Sequence, residues 1–253
     1  MNLVERHTKI LELLREKRSI LVTDLSDLLS VSSVTIRKDL TFLESKELLY
    51  RTHGRAVLIN PYINNRNVSE KEKFFMEEKI AIGMAGAELI TPKDSILIAS
   101  GTTVQSFARQ IKPKDHLTVI TSSLDVSSTL AKHQNAEIIQ LGGFLRNSSI
   151  STVGDYGVKM LKDFSCSKLF LGIDGLDLDY GLTTTNAMEA LLNRAMMKIS
   201  QKVIVLTDSS KFNKRGFSKI CDLDQIDHII TDKRADIDQI KGLEDLGIKV
   251  TIV

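Results

Sequence analysis

Apolar positions change their period about a quarter of the way along the chain. Over residues 3–49 they recur at helical spacing. Leu3, Ile10 and Leu14 share one face of a first helix, with Leu11 and Leu13 beside it. A break at Lys17–Leu21 separates it from a short second helix carrying Leu25, Leu28 and Leu29, for which Thr23 is the predicted N-cap. Ser30-Val31-Ser32 reads as a tight turn. Ser32 or Ser33 then caps a third helix that runs to about Lys46, with Ile36, Leu40 and Leu43 on one face. Two short extended runs follow, Leu49–Arg51 and Ala56–Ile59, around Thr52-His53-Gly54-Arg55. Three short helices, tight turns and a small hairpin predict a winged helix-turn-helix over residues 1–59. Residues 60–75, with Pro61 and four asparagines, read as a linker.

From residue 76 short apolar runs alternate with helical stretches. The predicted strands are Ser95–Ala99, Leu117–Thr121, Glu137–Leu141, Lys168–Gly172, Lys202–Thr207, His228–Thr231 and Lys249–Val253. The predicted helices are Met76–Ile90, Thr103–Ile111, Leu124–His133, Gly154–Lys162 and Asn186–Ser200. This alternation predicts an α/β domain over 76–253, a mainly parallel sheet covered on both faces.

Composition narrows the function classes. Apolar residues make up 42% and charged residues 26%, which excludes wholesale disorder. No run of eighteen apolar residues exists, and the first ten residues carry no apolar leader. Cys166 and Cys221 form neither a metal-ligand spacing nor a disulfide framework, and the five histidines are scattered. The expectation is a cytoplasmic protein without metal or cofactor. The formal charge is +2; residues 1–60 carry ten Lys/Arg and eight Asp/Glu, so the excess lies in the first quarter.

The third helix explains why that placement matters. With Ile36 at the centre of the buried face, Leu40 and Leu43 fall within about 40° of it. Val34, Lys38 and Thr41 then point the opposite way, flanked by Arg37 and Thr35, with Ser33 at the helix start. A short, polar, basic face suits the major groove, where Lys or Arg donates to guanine and small side chains meet thymine methyls. Arg51, His53 and Arg55 on the hairpin are donors suited to phosphates or a minor groove. A basic face alone is common on solvated helices; the combination with the hairpin and the linker is far more specific.

The stretches Glu5–Leu11, Val31–Leu40 and Leu48–Ala56 resemble the winged helix-turn-helix of the DeoR family of bacterial transcription regulators. One departure is visible: the family usually has two glycines after the wing histidine, and here the second is Arg55. Arginine lacks glycine's freedom at positive φ, so a different wing tip is expected.

A second constellation lies at the strand ends. Ser100-Gly101-Thr102-Thr103 joins a strand to a helix N-terminus, where backbone N–H groups and the dipole favour an anion. Thr102 or Thr103 reads equally as a helix cap. Ser122-Ser123, Gly142-Gly143, Asp174-Gly175 and Asp208–Lys211 follow other strands. Ligands of open α/β sheets bind beyond the carboxyl ends of the strands, so these ends together suggest one pocket. Each alone reads as a turn or cap, and Lys211 equally as a surface lysine. The residue types suit a phosphorylated, hydroxyl-rich small molecule.

These segments, together with Leu141–Arg146, Phe170–Gly175, Gly181–Thr184 and Thr207–Phe212, resemble the sensor domain of the DeoR family. That resemblance implies a fold similar to ribose-phosphate isomerases and CoA-transferases, and a response to phosphorylated sugars. The segments at Asp174-Gly175, Asn186 and Asp208–Phe217 look most like members governing galactitol or amino-sugar catabolism. The expectation is a repressor of a sugar-catabolism operon that binds double-stranded operator DNA as a dimer or tetramer. The alternative is a sugar-phosphate isomerase-like enzyme with Asp174, Glu189 and Lys211 as acid, base and anchor; the DNA module argues against it. A sequence-neutral DNA-packing protein fits poorly with a charge of only +2.

Overall fold

The computed structural model describes residues 2–17, 19–45, 48–52, 54–58, 71–72 and 74–253. The chain divides into two compact units, Met1–Asn64 and Asn65–Val253.

The first unit is built on α1 (Leu3–Lys17), α2 (Val22–Leu29) and α3 (Ser33–Ser45). Their apolar faces meet in one core of Ile10, Leu14, Leu25, Ile36, Leu40 and Leu43, closed by Ile20, Leu49 and Ala56. The α2–α3 turn works as read: Ser30 takes a left-handed conformation (φ +52°), and Ser32 Oγ accepts from the Thr35 amide at 3.2 Å. Thr23 is not the cap of α2. The helix starts at Val22, two residues before the start a Thr23 cap would set, after extended Leu21 and without a side-chain cap, because Ser19–Leu21 is engaged as a strand up to that point.

That strand, β1 (Ser19–Leu21), pairs with β3 (Arg55–Leu58), which pairs in turn with β2 (Leu49–Thr52). The predicted hairpin is therefore two strands of a three-stranded antiparallel sheet, with β3 in the middle. Arg55 sits in β3 opposite both Leu21 and Thr52. Gly54 takes the positive φ (+77°), so the arginine in the family's second glycine position is accommodated as an ordinary strand residue. Ile59 and the whole of 60–70 lie outside the described residues.

The second unit contains a seven-stranded, all-parallel sheet. Its strands are β4 (Ser95–Ile98), β5 (Leu117–Thr121), β6 (Ala136–Gln140), β9 (Lys168–Leu171), β12 (Val203–Leu206), β14 (His228–Thr231) and β15 (Lys249–Ile252). They are the seven predicted runs, with ends shifted by up to a residue. Their order is β15-β14-β12-β9-β4-β5-β6. From β4 the chain steps outward through β5 and β6, then returns to the other side of β4 as β9 and continues outward. The strand order thus reverses between β4 and β9.

Alternate residues of each strand enter opposite cores. Ile96, Ile98, Phe170 and Leu206 face α4 (Met76–Ala87), α5 (Thr102–Gln110) and α6 (Leu124–Leu130) through Ile82, Val104, Phe107 and Leu130. Leu97, Leu169, Leu171 and Val205 face the other side, with α8 (Ala187–Lys198) and α9 (Ile237–Asp245) supplying Leu192, Met196, Ile240 and Leu243. A helix α7 (Asp155–Leu161) adds Leu161. Gly83 lets α4 lie against α5: a Cβ there would stand 2.9 Å from the Phe107 backbone.

The α9 helix has no counterpart in the predicted elements. Nor do two antiparallel additions: the hairpin of β7 (Phe144–Arg146) and β8 (Ser151–Val153), and the sheet of β10 (Gly175–Asp177), β11 (Gly181–Thr184) and β13 (Ser218–Cys221). These runs are three or four residues long, too short for periodicity to register. Among the described residues no helix is long and apolar enough to cross a membrane.

Candidate functional site

On α3 the basic face predicted from the sequence is turned to solvent. Val34, Arg37, Lys38 and Thr41 are exposed, and Ser33 and Thr35 are half-buried at the helix start. Thr41 Oγ1 donates to the Arg37 carbonyl at 2.7 Å and accepts from Arg51 Nη1 at 2.9 Å. Arg51 is further bound to Glu44, through its backbone N–H at 2.8 Å and its Nε at 2.6 Å. Its guanidinium is thus locked beside α3 by a buried carboxylate. Arg55 Nε donates to Ser19 Oγ at 2.8 Å while the side chain stays exposed. His53 lies outside the described residues.

Two acids on α3 face inward, against the usual distribution. Glu44 holds Arg51, and Asp39 accepts from Arg6 Nε at 2.5 Å and Nη2 at 3.0 Å, with His7 Nε2 at 3.2 Å. Burial pushes the Asp39 carboxyl up, but the hydrogen bonds and charges of Arg6 and His7 outweigh it and hold its pKa below the ordinary value. The acids anchor α1 and the wing to the third helix and leave its outer face basic.

In the second unit the strand reversal places the ends of β4 and β9 side by side. The backbones are close there: a Cβ on Gly172 would stand 3.0 Å from the Ser100 carbonyl oxygen. Beyond these ends runs a continuous polar network. Lys71 Nζ donates to Asp174 Oδ1 at 2.7 Å. Asp174 Oδ2 accepts from Thr184 Oγ1 at 3.0 Å, Thr185 N at 3.2 Å and Thr185 Oγ1 at 3.3 Å. Arg146 reaches Thr185 Oγ1 at 3.5 Å and Glu189 Oε2 at 2.7 Å, and Ser100 Oγ donates to Glu189 Oε1 at 3.2 Å.

The electrostatics follow from this arrangement. At Asp174 burial opposes ionisation, but the charge and hydrogen bond of Lys71, the charge of Lys211 and the Thr184 hydroxyl overcome it and hold the carboxyl far below its ordinary pKa. At Glu189 burial, then the charge of Asp174, push the pKa up against Arg146, Lys71 and Ser100. Lys71, Arg146 and Lys211 bring three cations to two carboxylates, one of which resists ionisation. The cluster is net positive and suited to an anion.

Of the predicted ligand residues, Ser100 and Asp174 are in this network, and Lys211 acts on it through its charge. Gly101 caps α5 with φ +122° and open space where a Cβ would be. Thr102 and Thr103 form the first turn of α5 rather than its cap, so their amides belong to the group that has no partner within the helix. Other predicted residues have packing roles. Ser123 caps α6, accepting from the Val126 amide at 3.3 Å, and the Ser122 carbonyl accepts from the Thr152 amide at 2.8 Å. A Cβ on Gly143 would lie 2.4 Å from the Val153 carbonyl oxygen, and one on Gly175 2.4 Å from that of Lys214. Gly142 donates its amide to Met160 Sδ at 3.3 Å.

Lys71, Arg146, Thr184 and Thr185 were not among the predicted ligand residues, and Glu189 was considered only as a base in the enzyme alternative. Arg146 closes the Gly-Gly-Phe-Leu-Arg run, and that was its one signal. Lys71 had none, because it lies in a stretch of mixed charge 103 residues from its partner.

Residues 6–62 match the DeoR-like helix-turn-helix domain, and residues 75–233 match the DeoR C terminal sensor domain. The uncharacterized HTH-type transcriptional regulator YulB of Bacillus subtilis strain 168 is 37% identical over 253 residues, spanning 100% of this chain and 98% of that one. The lactose phosphotransferase system repressor of Staphylococcus epidermidis is 32% identical over 249 residues, spanning 96% and 97%. Among solved structures, ribose 5-phosphate isomerase A from Methanocaldococcus jannaschii aligns over 55% of each chain, at 13% identity and a TM-score of 0.39.

Proposed function

Since the chain belongs to the DeoR family of transcription regulators, we propose that it represses a sugar-catabolism operon and that a phosphorylated sugar controls its grip on the operator. The observation that carries the ligand reading is the net-positive network at the strand reversal, where Asp174 and Glu189 are outnumbered by Lys71, Arg146 and Lys211. The first turn of α5 and the basic side chains suit a phosphate, and Asp174, Ser100, Thr184 and Thr185 suit sugar hydroxyls. The relative that represses a lactose phosphotransferase system supports a sugar-linked target. The amino-sugar or galactitol pathways are the subgroup favoured by the Asp174-Gly175 and Asp208–Phe217 segments.

Operator contact is assigned to Ser33, Val34, Thr35, Arg37, Lys38 and Thr41 on α3, supported by Arg51, His53 and Arg55. One such module reads only a few base pairs, so two copies pairing half-sites give the affinity a repressor needs. We take the working form to be at least a dimer. A single species of one-chain mass in light scattering, with and without operator, would overturn that.

The isomerase alternative is not favoured. The family is one of regulators, and both carboxylates that would serve as acid and base are engaged, Asp174 by Lys71 and Glu189 by Arg146. Thermal-shift and calorimetric titration against a panel of sugar phosphates, with a gel shift on promoter DNA against random DNA, tests the proposal. Ligand binding that changes specific retention supports it. Turnover of a sugar phosphate would restore the enzyme.

A further inference from the structure

We propose that Lys71 is a built-in occupant of the ligand site, and that an incoming sugar phosphate displaces it and so releases the segment that leads to the DNA-binding unit. The inference rests on the effector reading given above and deepens it. Lys71 lies near the start of the second unit, and its ammonium reaches into the network to hold Asp174 at 2.7 Å. The backbone behind it is fastened as well. The buried Lys79 of α4 donates from Nζ to the Lys71 carbonyl and to the Phe74 carbonyl, both at 2.7 Å. Arg109 of α5 holds Glu72 at 2.6 Å, and the Arg234 guanidinium lies 5.8 Å from the Phe75 ring centre. Lys71, Glu72, Phe74 and Phe75 are thus strapped to the sensor by contacts with α4, α5 and the loop after β14, and one contact is made with the ligand-site carboxylate itself.

The chemistry of that contact makes it replaceable. Asp174 is fixed from behind by Thr184 and Thr185, so its Oδ1, the atom Lys71 takes, is the one a ligand would address. Two sugar hydroxyls donating to Asp174 do the ammonium's work. A phosphate at the start of α5 is received by the first-turn amides that have no partner within the helix, beside Arg146 and Lys211, so its hold does not depend on Lys71. Ligand and Lys71 then compete for one oxygen. The segment responds by the ligand's differential affinity for the two arrangements, as any linked equilibrium must.

The test uses the full chain. Hydrogen exchange at residues 74–79 reads the strap, whose amides include Lys79 N bound to the Phe75 carbonyl at 2.9 Å. Lys71→Met and Asp174→Asn should each speed exchange there by about ten- to a hundredfold, the factor a hydrogen bond to a charged group carries. The double variant should be no faster than either single one. Unchanged exchange in both single variants overturns the latch whatever the effector proves to be. In the second arm glucose 6-phosphate, glucosamine 6-phosphate, galactitol 1-phosphate and ribose 5-phosphate are titrated into the parent and Lys71→Met. The ligand that binds should do so about tenfold or more tightly in Lys71→Met, and should speed exchange at 74–79 in the parent. Equal or weaker binding in Lys71→Met, with the segment still protected in the liganded parent, overturns the latch and leaves the effector reading standing. Faster exchange in Lys71→Met with no binding of any of the four to either protein overturns displacement by sugar phosphates.

Discussion

Arg6 on the first helix grips Asp39 on the third through two guanidinium N–H groups, 2.5 and 3.0 Å from the two carboxylate oxygens. The pair sits on the inner side of the helix whose outer side carries Arg37 and Lys38. It ties the third helix to the first.

Asp39→Asn should therefore destabilise the first unit by about 1.5–3 kcal/mol, the scale of a hydrogen bond to a charged partner. The pH dependence follows from the lowered pKa of Asp39. A depressed carboxylate contributes stability above its unfolded pKa, about 3.9, and loses it as pH falls through the folded value. Urea melts of the parent should show the loss in that acid range, and the Asp39→Asn variant should lack that part of the slope. Identical slopes in the two proteins would show that the pair does no stabilising work.

Lys38→Ala should weaken specific operator binding by about 1–3 kcal/mol and relax sequence preference, because the side chain stands opposite the Ile36–Leu40–Leu43 core. Arg37→Ala, at the edge of the same face, should weaken all duplexes alike and flatten the salt dependence by about one unit. Anisotropy titrations on operator and random duplex at several salt concentrations separate the two. A Lys38→Ala protein with intact affinity and selectivity would refute the orientation assigned to α3.

Thr102→Val combined with Thr103→Val should weaken the effector by about 1.5–3 kcal/mol, because two hydroxyls are lost while the first-turn amides remain, and should leave operator binding unchanged, since both residues lie far along the chain from α3. Arg146→Gln should weaken the same ligand by about 1.5–3 kcal/mol through the loss of a charge-assisted contact. Calorimetry on both, with the sugar phosphate that binds the parent, measures this directly. Parent-like affinity in both proteins would place the ligand elsewhere.

Cys166 and Cys221 should stay unreactive toward a thiol reagent in the native protein at neutral pH and react only on unfolding. Burial raises the Cys166 thiol to about 11, and burial with the charges of Asp222 and Asp224 raises Cys221 to about 12. Thiolate is the reacting form, so both are suppressed. Rapid labelling of either in the folded chain would contradict their placement.

The chain's local patterns determined a great deal. The five inner parallel strands could be read because each is a short run buried on both faces, bounded by polar or glycine turns, as at Ile96–Ala99 and Leu169–Leu171; the edge strands Ala136–Gln140 and Lys249–Ile252 are only partly buried and were read from their apolar content. The outer face of α3 could be read because helical spacing alone separates Lys38 from Ile36, Leu40 and Leu43. Glycine and hydroxyl residues at the strand ends marked the side of the sheet on which a ligand would lie. What tertiary structure decided was partnership across long separations. Strand order, and with it the reversal between β4 and β9 that makes Ser100 a neighbour of Gly172, is set by which edges pair. Short antiparallel strands such as Phe144–Arg146 acquire their shape only from the partner they meet, so Arg146 could not be placed beside Glu189 beforehand. Asp39, Glu44 and Lys71 read locally as solvated charges. Each turns inward because an oppositely charged or polar group, brought there by the fold, compensates for the water it gives up.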